Sequence, residues 1–530
     1  MVRGVAIELS PARLPTRRCG WRAAALWLAC SATAGGTQCP DGPYGQGIAG
    51  PAEQVGAWEP PVDLATDPIH AIVLPNGEVL WWGGTALRTW NAATCAIRFV
   101  GDTGASVFCS GHTHASDGRV IVIGGGPQAS PPAHAFEVNS SGTSLERIAD
   151  MFARRWYPTL LALSDGRLLA LAGQTSAAQN VEADVPELFA QATWTQQPQL
   201  ERTLALYPKV FELATPPGQL VYVSTSAAEG LRYFTLAAWG GSVPSPLEVG
   251  EHASALYHDG AILATATVPG DGHQSAPGAQ WFRPASADWL AVPGPQIPRV
   301  FGTLVALPNG QIGIFGGMTR SDEAFYDAGC AVHAPEVLDV ESGVWSLAAS
   351  HPHPHMYHSS AILLSDGRVW LAGSGSETFP NRWLEVYRPW YWHVQRPVIE
   401  AAPSALSFAR SYTIDTDASL AGKRVSLVRL GAVTHNFDSS QRFLWADATE
   451  RPGPESDKID LVAPTRFEAP PGYYYLSVVA PGGIPSVSRI VRLRTPSGGG
   501  GCGLSGVELL PLLALAVRRR AAARSHTRAG

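Results

Sequence analysis

One pattern recurs seven times and limits this chain more than any other feature. It is an apolar run, a turn dipeptide, a second apolar run, then small residues. The copies are HAIVLPNGEVLWWGG (70–84), HTHASDGRVIVIGGG (112–126), YPTLLALSDGRLLALAG (157–173), YPKVFELATPPGQLVYVSTS (207–226), EHASALYHDGAILATAT (251–267), FGTLVALPNGQIGIFGG (301–317) and YHSSAILLSDGRVWLAGSG (357–375). Six turn on Asn76-Gly77, Asp117-Gly118, Asp165-Gly166, Asp259-Gly260, Asn309-Gly310 and Asp366-Gly367, and the fourth copy has Pro217-Gly218. Such dipeptides supply the positive φ of tight hairpin turns. A hairpin apolar on both faces cannot bury them alone, and stacking hairpins side by side buries both.

The turns recur every 41 to 57 residues. That is the spacing of propeller blades, and the GG after the second strand resembles kelch repeats. The expectation is an all-β chain with a seven-bladed kelch-type β-propeller over residues 55–395. Runs such as SADWLAVP and ESGVWSLA suit a blade's outer strand. A β-sandwich also has many strands, but not seven copies of one hairpin. Beyond RPWYWHVQRPVIEAAPSAL the signature stops, and alternating runs such as RVSLVRLG and YYYLSVVAP predict a small β-sandwich over 396–495. Composition agrees: hydrophobic residues are 45% and charged residues 15%, with Gly 55, Pro 43 and Trp 17. The net charge of -6, without a basic patch interleaved with aromatics, argues against nucleic acid as a partner.

The ends carry their own signals. Arg13, Arg17, Arg18 and Arg22 precede the apolar AAALWLACSA (23–32), and Ala32-Thr33-Ala34 offers a cleavage site. Residues 1–34 therefore read as a secretory signal peptide, with lipid attachment at Cys30 as the alternative. Export permits disulfides, and Cys39, Cys95 and Cys330 can supply one, the pairing being open among them. At the other end, residues 496–530 combine a Gly-rich linker with Cys502, the apolar ELLPLLALAV and the basic RRRAAARSHTR. The apolar run is short for a membrane helix. This tail resembles myxobacterial C-terminal sorting tags, which implies processing near Cys502 and display at the outer surface. A disordered tail is the plainer reading.

The heads of certain hairpins carry polar residues unlike core. VFCSGHTHASDG has Cys109, RRWYPTLLALSDG has Tyr157, and HMYHSSAILLSDG has Tyr357 and His358, each about eight to ten residues before its turn. Equivalent positions in different blades converge on one end of a propeller axis. A turn in the sandwich, RLGAVTHNFDSSQR, adds His435, which looks exposed. Two imidazoles, two phenols and an open position suit copper. A sulfur bonded to a phenol ring lowers the oxidation potential of that ring.

FCSG, RWYPT, MYHSSAILLSDGRV, GAVTHNFDSSQR and PPGYYYLSVVAPGGIPSVS together resemble the copper radical oxidases, the galactose oxidase and glyoxal oxidase family. The resemblance implies an immunoglobulin-like C-terminal sandwich. It implies a radical at Tyr157, joined to Cys109 by a thioether, with Tyr357 as axial ligand and His358 and His435 as equatorial ligands. It also implies a copper oxidase that oxidises a small aldehyde or primary alcohol with O2 and releases hydrogen peroxide. Such an enzyme would be exported and monomeric, secreted or held at the outer surface through the tail. Three departures point away from galactose. Thr175 stands near the position of the tryptophan that stacks on the thioether in galactose oxidase, no arginine precedes EHASALYHDG, and no room remains for an N-terminal sugar-binding domain. RWYPT is closer to the glyoxal oxidase type.

Other residues have plainer expectations. His351, His353 and His355 alternate with proline and read as an extended rim segment. His112 and His114 line the pocket or face solvent, and Trp156 either walls the site or packs. The rival function is a non-catalytic kelch-type binding propeller, which has no need of a Cys109–Tyr157 pair. A glycoside-processing propeller needs paired carboxylates at the hairpin heads, and none stand there.

Overall fold

The computed structural model describes residues 44–495 apart from 128–129, 177–180, 321–326, 375–380, 418–421 and 454–456. The proposed signal, Cys39 and the C-terminal tail lie outside the described residues. Cys330 is disulfide-bonded.

Each copy of the repeat forms a hairpin. The strands pair antiparallel, from His70–Val73 with Val79–Trp82 to Ser359–Leu363 with Val369–Gly373. Third and fourth strands then extend most hairpins into four-stranded sheets. Burial follows position within a sheet. The hairpin strands Gly111–His114, Val120–Ile123, Thr303–Ala306 and Ile312–Phe315 are buried at every residue, whereas the outer strands Leu145–Ile148 and Trp239–Val243 have no buried residue. This gradient explains the sequence pattern. Inner strands face neighbouring sheets on both sides and read as continuous apolar runs, and outer strands meet water. The architecture is a β-propeller of small sheets followed by a β-sandwich. The last sheet is completed by the beginning of the repeat region: Ala57–Trp58 and Val62–Asp63 both pair with Trp383–Arg388.

The turns differ in type from the expectation. Only Asp259-Gly260 has positive φ at both residues. In the other five, the carbonyl two residues before Asn or Asp accepts from the glycine N–H, as in Gly77 to Leu74, and the glycine alone is left-handed. This is a type I turn closed by a left-handed glycine. Asn or Asp is favoured there because its side chain accepts from the backbone two residues on, as Asn76 does from Glu78 and Asp366 from Arg368.

The sandwich packs two sheets over a shared core that includes Leu406, Ile414, Leu427, Ile459, Leu476 and Val491. It also sends out a two-stranded finger, Ala432–Thr434 with Phe437–Asp438. The finger pairs with the first hairpin of the propeller, Thr434 opposite His70. Its tip is His435-Asn436, with φ of 47° and 66°, the signature of a two-residue primed turn.

Candidate metal centre

Main-chain hydrogen bonds tie the hairpin heads to one another. The Tyr157 N–H donates to the Cys109 carbonyl at 3.1 Å, Tyr207 N–H to the Tyr157 carbonyl at 3.0 Å, and Phe301 N–H to the His252 carbonyl at 2.9 Å. Cys109, Tyr157, Tyr207, Phe301 and His358 all have φ between 46° and 65°. Bulky residues rarely hold this conformation, which costs about 1–3 kcal/mol each and persists where surrounding structure enforces it. Here it turns successive heads inward toward one point. The glycine signature serves the same end. A Cβ on Gly373, at φ 87°, would come within 2.6 Å of the His358 carbonyl, and one on Gly316 within 2.6 Å of the His355 carbonyl. Only glycine lets these strand ends lie against the heads.

All five sequence-predicted site residues meet. Metal-binding atoms of Cys109, His358 and His435 lie within 4.8 Å of one another. The Cys109 Sγ is 3.6 Å from His435 Nε2. The hydroxyls of Tyr157 and Tyr357 share a hydrogen bond across 200 residues of sequence. The Tyr357 and His358 rings stack at 3.9 Å, and His358 and His435 meet edge-on at 4.6 Å. His435 is 5% exposed, so its exposed look in the sequence is corrected: the finger carries it into the propeller.

Burial disfavours charge on Cys109, Tyr157 and His435. Burial pushes the Cys109 thiol well up, opposed by a hydrogen bond with Tyr157. Burial also pushes the Tyr157 phenol well up, helped by Cys109, Tyr357 and Tyr207. The His435 pKa falls well below the ordinary histidine value, again through burial and then the neighbouring His358 and His70. Two imidazoles and two phenols converge, and burial disfavours a positive charge on His435 among them. A divalent cation balanced by two phenolates would leave the site neutral, so the donor set fits copper.

The remaining candidates resolve separately. His112 and His114 are buried and bond to the Ala71 and Val73 carbonyls of the first hairpin, so they join sheets and do not line the pocket. His351 and His355 are fully buried as well, which corrects the rim reading. His355 faces the Gly373 carbonyl and Glu385, both at 2.9 Å, and His353 reaches Glu385 at 2.6 Å. Arg155 with Glu187 and Arg299 with Glu336 hold the matching positions in other sheets, two residues before Tyr157 and Phe301. His355 replaces that arginine. Burial alone would raise the Glu385 pKa, but the hydrogen bonds from His353 and His355 hold it well below the usual carboxylate range. Trp156 stacks on Tyr157, with ring centroids 3.8 Å apart. Thr175 instead bonds the Val181 carbonyl.

Sequence reasoning missed Tyr207. It heads the fourth copy in the same frame, stacks on Tyr157 at 4.7 Å and lies 4.6 Å from the His435 ring. The available signal was its place at the head of YPKVFEL, hidden by that copy's degenerate turn. Tyr157, Tyr207, Phe301, Tyr357 and His435 border a cavity of about 20 Å³, with Lys209 at its edge. A larger cleft of about 750 Å³ lies between hairpin turns and the sandwich, and it shares no residue with the donor set.

Comparisons with known proteins agree with this geometry. Residues 282–387 match the family model described as Glyoxal oxidase N-terminus, and residues 396–493 match Galactose oxidase-like, Early set domain. A galactose oxidase of Gibberella zeae is 25% identical over 507 residues, covering 84% of this chain and 71% of that protein. The aldehyde oxidase GLOX of Vitis pseudoreticulata is 31% identical over 216 residues, 37% of this chain and 41% of that protein. In fold, the chain is similar to a fungal alcohol oxidase of the AA5 family solved with copper. The TM-score is 0.72 at 20% identity, covering 83% of this chain and all of that one. The resemblance read from the five motifs is borne out.

Proposed function

Taking this chain as a copper-dependent oxidase of the galactose oxidase and glyoxal oxidase type, we propose that it is an exported enzyme for small aldehydes or primary alcohols. It uses O2 as acceptor and releases hydrogen peroxide. A hydrated aldehyde plus O2 gives the acid and hydrogen peroxide, and a primary alcohol plus O2 gives the aldehyde and hydrogen peroxide. The observation that carries this reading is the meeting of Cys109 and Tyr157 with Tyr357, His358 and His435 in one buried donor set.

Tyr157, Tyr357, His358 and His435 would hold the metal. Copper, when bound, supplies a Lewis-acidic position for the substrate oxygen and a one-electron acceptor. Tyr357 takes the hydroxyl proton of the substrate as general base. Tyr157, which a thioether to Cys109 would make easier to oxidise, would be the group placed to take a hydrogen atom from the carbon. Phe301 and Tyr207 wall the cavity and exclude water.

In this reading residues 55–395 are a seven-bladed kelch-type propeller and 396–495 the sandwich that contributes His435. Residues 1–34 direct export and 496–530 sort or anchor a monomeric enzyme at the outer surface. The deciding experiment is peptide mass on copper-loaded protein. A species joining the Cys109 and Tyr157 peptides, two hydrogens lighter than their sum, is expected. Unmodified peptides from copper-loaded protein would remove the radical mechanism and leave a binding propeller.

A further inference from the structure

The prolines and histidines ahead of Tyr357 rebuild a clamp that other copies of the repeat make differently. In the third copy Arg155 donates to the Ala172 carbonyl at 2.7 Å and to Glu187 at 2.9 Å. In the sixth, Arg299 donates to the Gly316 carbonyl at 3.3 Å and to Glu336. Each arginine ties the end of its own hairpin to a carboxylate on the next strand. In the seventh copy His355 makes both bonds, to the Gly373 carbonyl and to Glu385, each at 2.9 Å.

The carboxylates are completed differently too. Glu187 accepts from the Phe152 and Ala153 N–H groups at 2.7 and 2.9 Å, and Glu336 from Gln296 and Ile297 at 2.6 and 3.0 Å. The matching residues before Tyr357 are Pro352 and His353. Proline has no N–H to give. His353 instead donates through its side chain, Nδ1 to Glu385 at 2.6 Å.

His351, His355 and Glu385 bring donor atoms within 4.8 Å of one another, as a metal site would. The hydrogens argue otherwise. A carbonyl only accepts, so the Nδ1 of His351, 2.6 Å from the His353 carbonyl, carries hydrogen. That same nitrogen is the one that approaches Glu385, at 3.7 Å. Hydrogen bonds therefore account for the cluster.

The clamp reaches the proposed ligands through the end of the hairpin. Next to Gly373, the Ser374 N–H donates to the His358 carbonyl at 3.3 Å, and the Ser374 hydroxyl accepts from the Met356 N–H at 2.7 Å. Tyr357 stands between these two gripped residues. Glu385, His355, Met356 and Ser374 are all fully buried.

We propose that Glu385 is a positioning residue for the metal. Through His355 and His353 it fixes the seventh hairpin head, so that Tyr357 and His358 are presented together as ligands. Groups behind metal ligands commonly act this way, and losing one costs about 10–100-fold in metal affinity. The inference rests on the copper reading.

The test measures Cu(II) affinity by chelator competition, the Cu(II) EPR spectrum and unfolding free energy in full-length protein. Glu385→Gln should bind Cu(II) ~10–100-fold more weakly, with altered EPR parameters. Glu336→Gln breaks the matching clamp ahead of Phe301, which is no proposed ligand. It should lose stability yet keep wild-type affinity and spectrum. His355→Arg restores the side chain of the other copies and should keep more of the affinity than Glu385→Gln. His353→Ala removes one bond only, so it decides the matter if Glu385→Gln does not fold. It should shift affinity and spectrum in the same direction by less, and wild-type values there would count against the proposal. Equal affinities and spectra in Glu385→Gln and Glu336→Gln would overturn it. So would two metal ions per wild-type chain falling to one in Glu385→Gln, because the cluster would then be a metal site itself. Failure of the wild type to bind Cu(II) would overturn the copper reading and this inference with it.

Discussion

The indole of Trp156 lies flat on the phenol of Tyr157, with planes 11° apart and centroids separated by 3.8 Å. The two residues are adjacent in sequence, so the left-handed turn at Tyr157 folds one ring over the other. Trp156 is also anchored through paired backbone bonds with Gln174, beside Thr175. An aromatic cover for the proposed radical is therefore present, delivered from a different strand than the alignment of motifs suggested. Trp156→Phe keeps a smaller cover, and Trp156→Ala removes it. Both should still form the thioether. The Ala variant should show a higher radical midpoint potential and a shorter-lived radical by optical spectroscopy. An unchanged potential would reduce Trp156 to packing.

Cys109→Ser removes the proposed thioether while the four proposed metal donors remain. Copper affinity should change little. Turnover should fall by ~10³-fold, equivalent to about 4 kcal/mol in the barrier, read as peroxide release with a small aldehyde. Turnover close to wild type would exclude a role for the cross-link.

Asn436 shares the finger tip with His435. Its side chain donates to the His252 and Ala253 carbonyls, both at 2.9 Å, and its φ of 66° suits asparagine. Asn436→Ala loses both bonds in a strained conformation. A loss of about 1–3 kcal/mol in unfolding free energy is expected, with weakened copper binding. Asn436→Gly relieves the backbone but not the bonds, so it should fall between Ala and wild type in denaturant titration.

Acid should destabilise this protein through histidines that hold no metal. Burial lowers the pKa of His114 to about 3 and of His258 to about 4, partly offset by hydrogen bonds to the Val73 and Gly310 carbonyls. Both folded values lie below the unfolded ~6.5. Their stability contribution is thus complete above pH ~6.5 and is lost as pH falls toward the folded values. Between pH 7.5 and 5 each should cost about 2 kcal/mol, and Glu385 acts in the same direction at lower pH. Denaturant midpoints across that range should decline. His258→Asn should decline less steeply than wild type.

Breaking the buried pair of Arg155 and Glu187, or of Arg299 and Glu336, leaves one charge unmatched where both side chains are fully buried. Glu187→Gln and Glu336→Gln should each cost about 3–5 kcal/mol, measured as unfolding free energy. Glu385→Gln tests whether the histidine substitute carries the same weight.

Local signals showed the repeat, the hairpins and the frame that places Cys109, Tyr157 and Tyr357 at equivalent heads. They worked because a hairpin and its turn are encoded within about fifteen residues. The turn type was missed because Asn-Gly and Asp-Gly serve two loop lengths, and the number of residues between paired strands decides which one forms. His435 looked exposed because its burial comes from pairing between Thr434 and His70, hundreds of residues apart. His355 looked like a rim residue because its partner Glu385 arrives from a later strand. Tyr207 was readable in frame, but only after the fourth copy's irregular turn was accepted as equivalent to the others.

The strand at Ala57–Trp58 is made early and used late. Its partner Trp383–Arg388 is synthesised more than three hundred residues afterwards, and the finger bearing His435 follows that. No chain that stops short of Trp383–Arg388 can close the ring, and none that stops short of His435 holds all the proposed donors. If the proposed donors hold copper, metal capture waits until the finger has been made, and a nascent chain that stops short of it is spared oxidative chemistry by its own architecture.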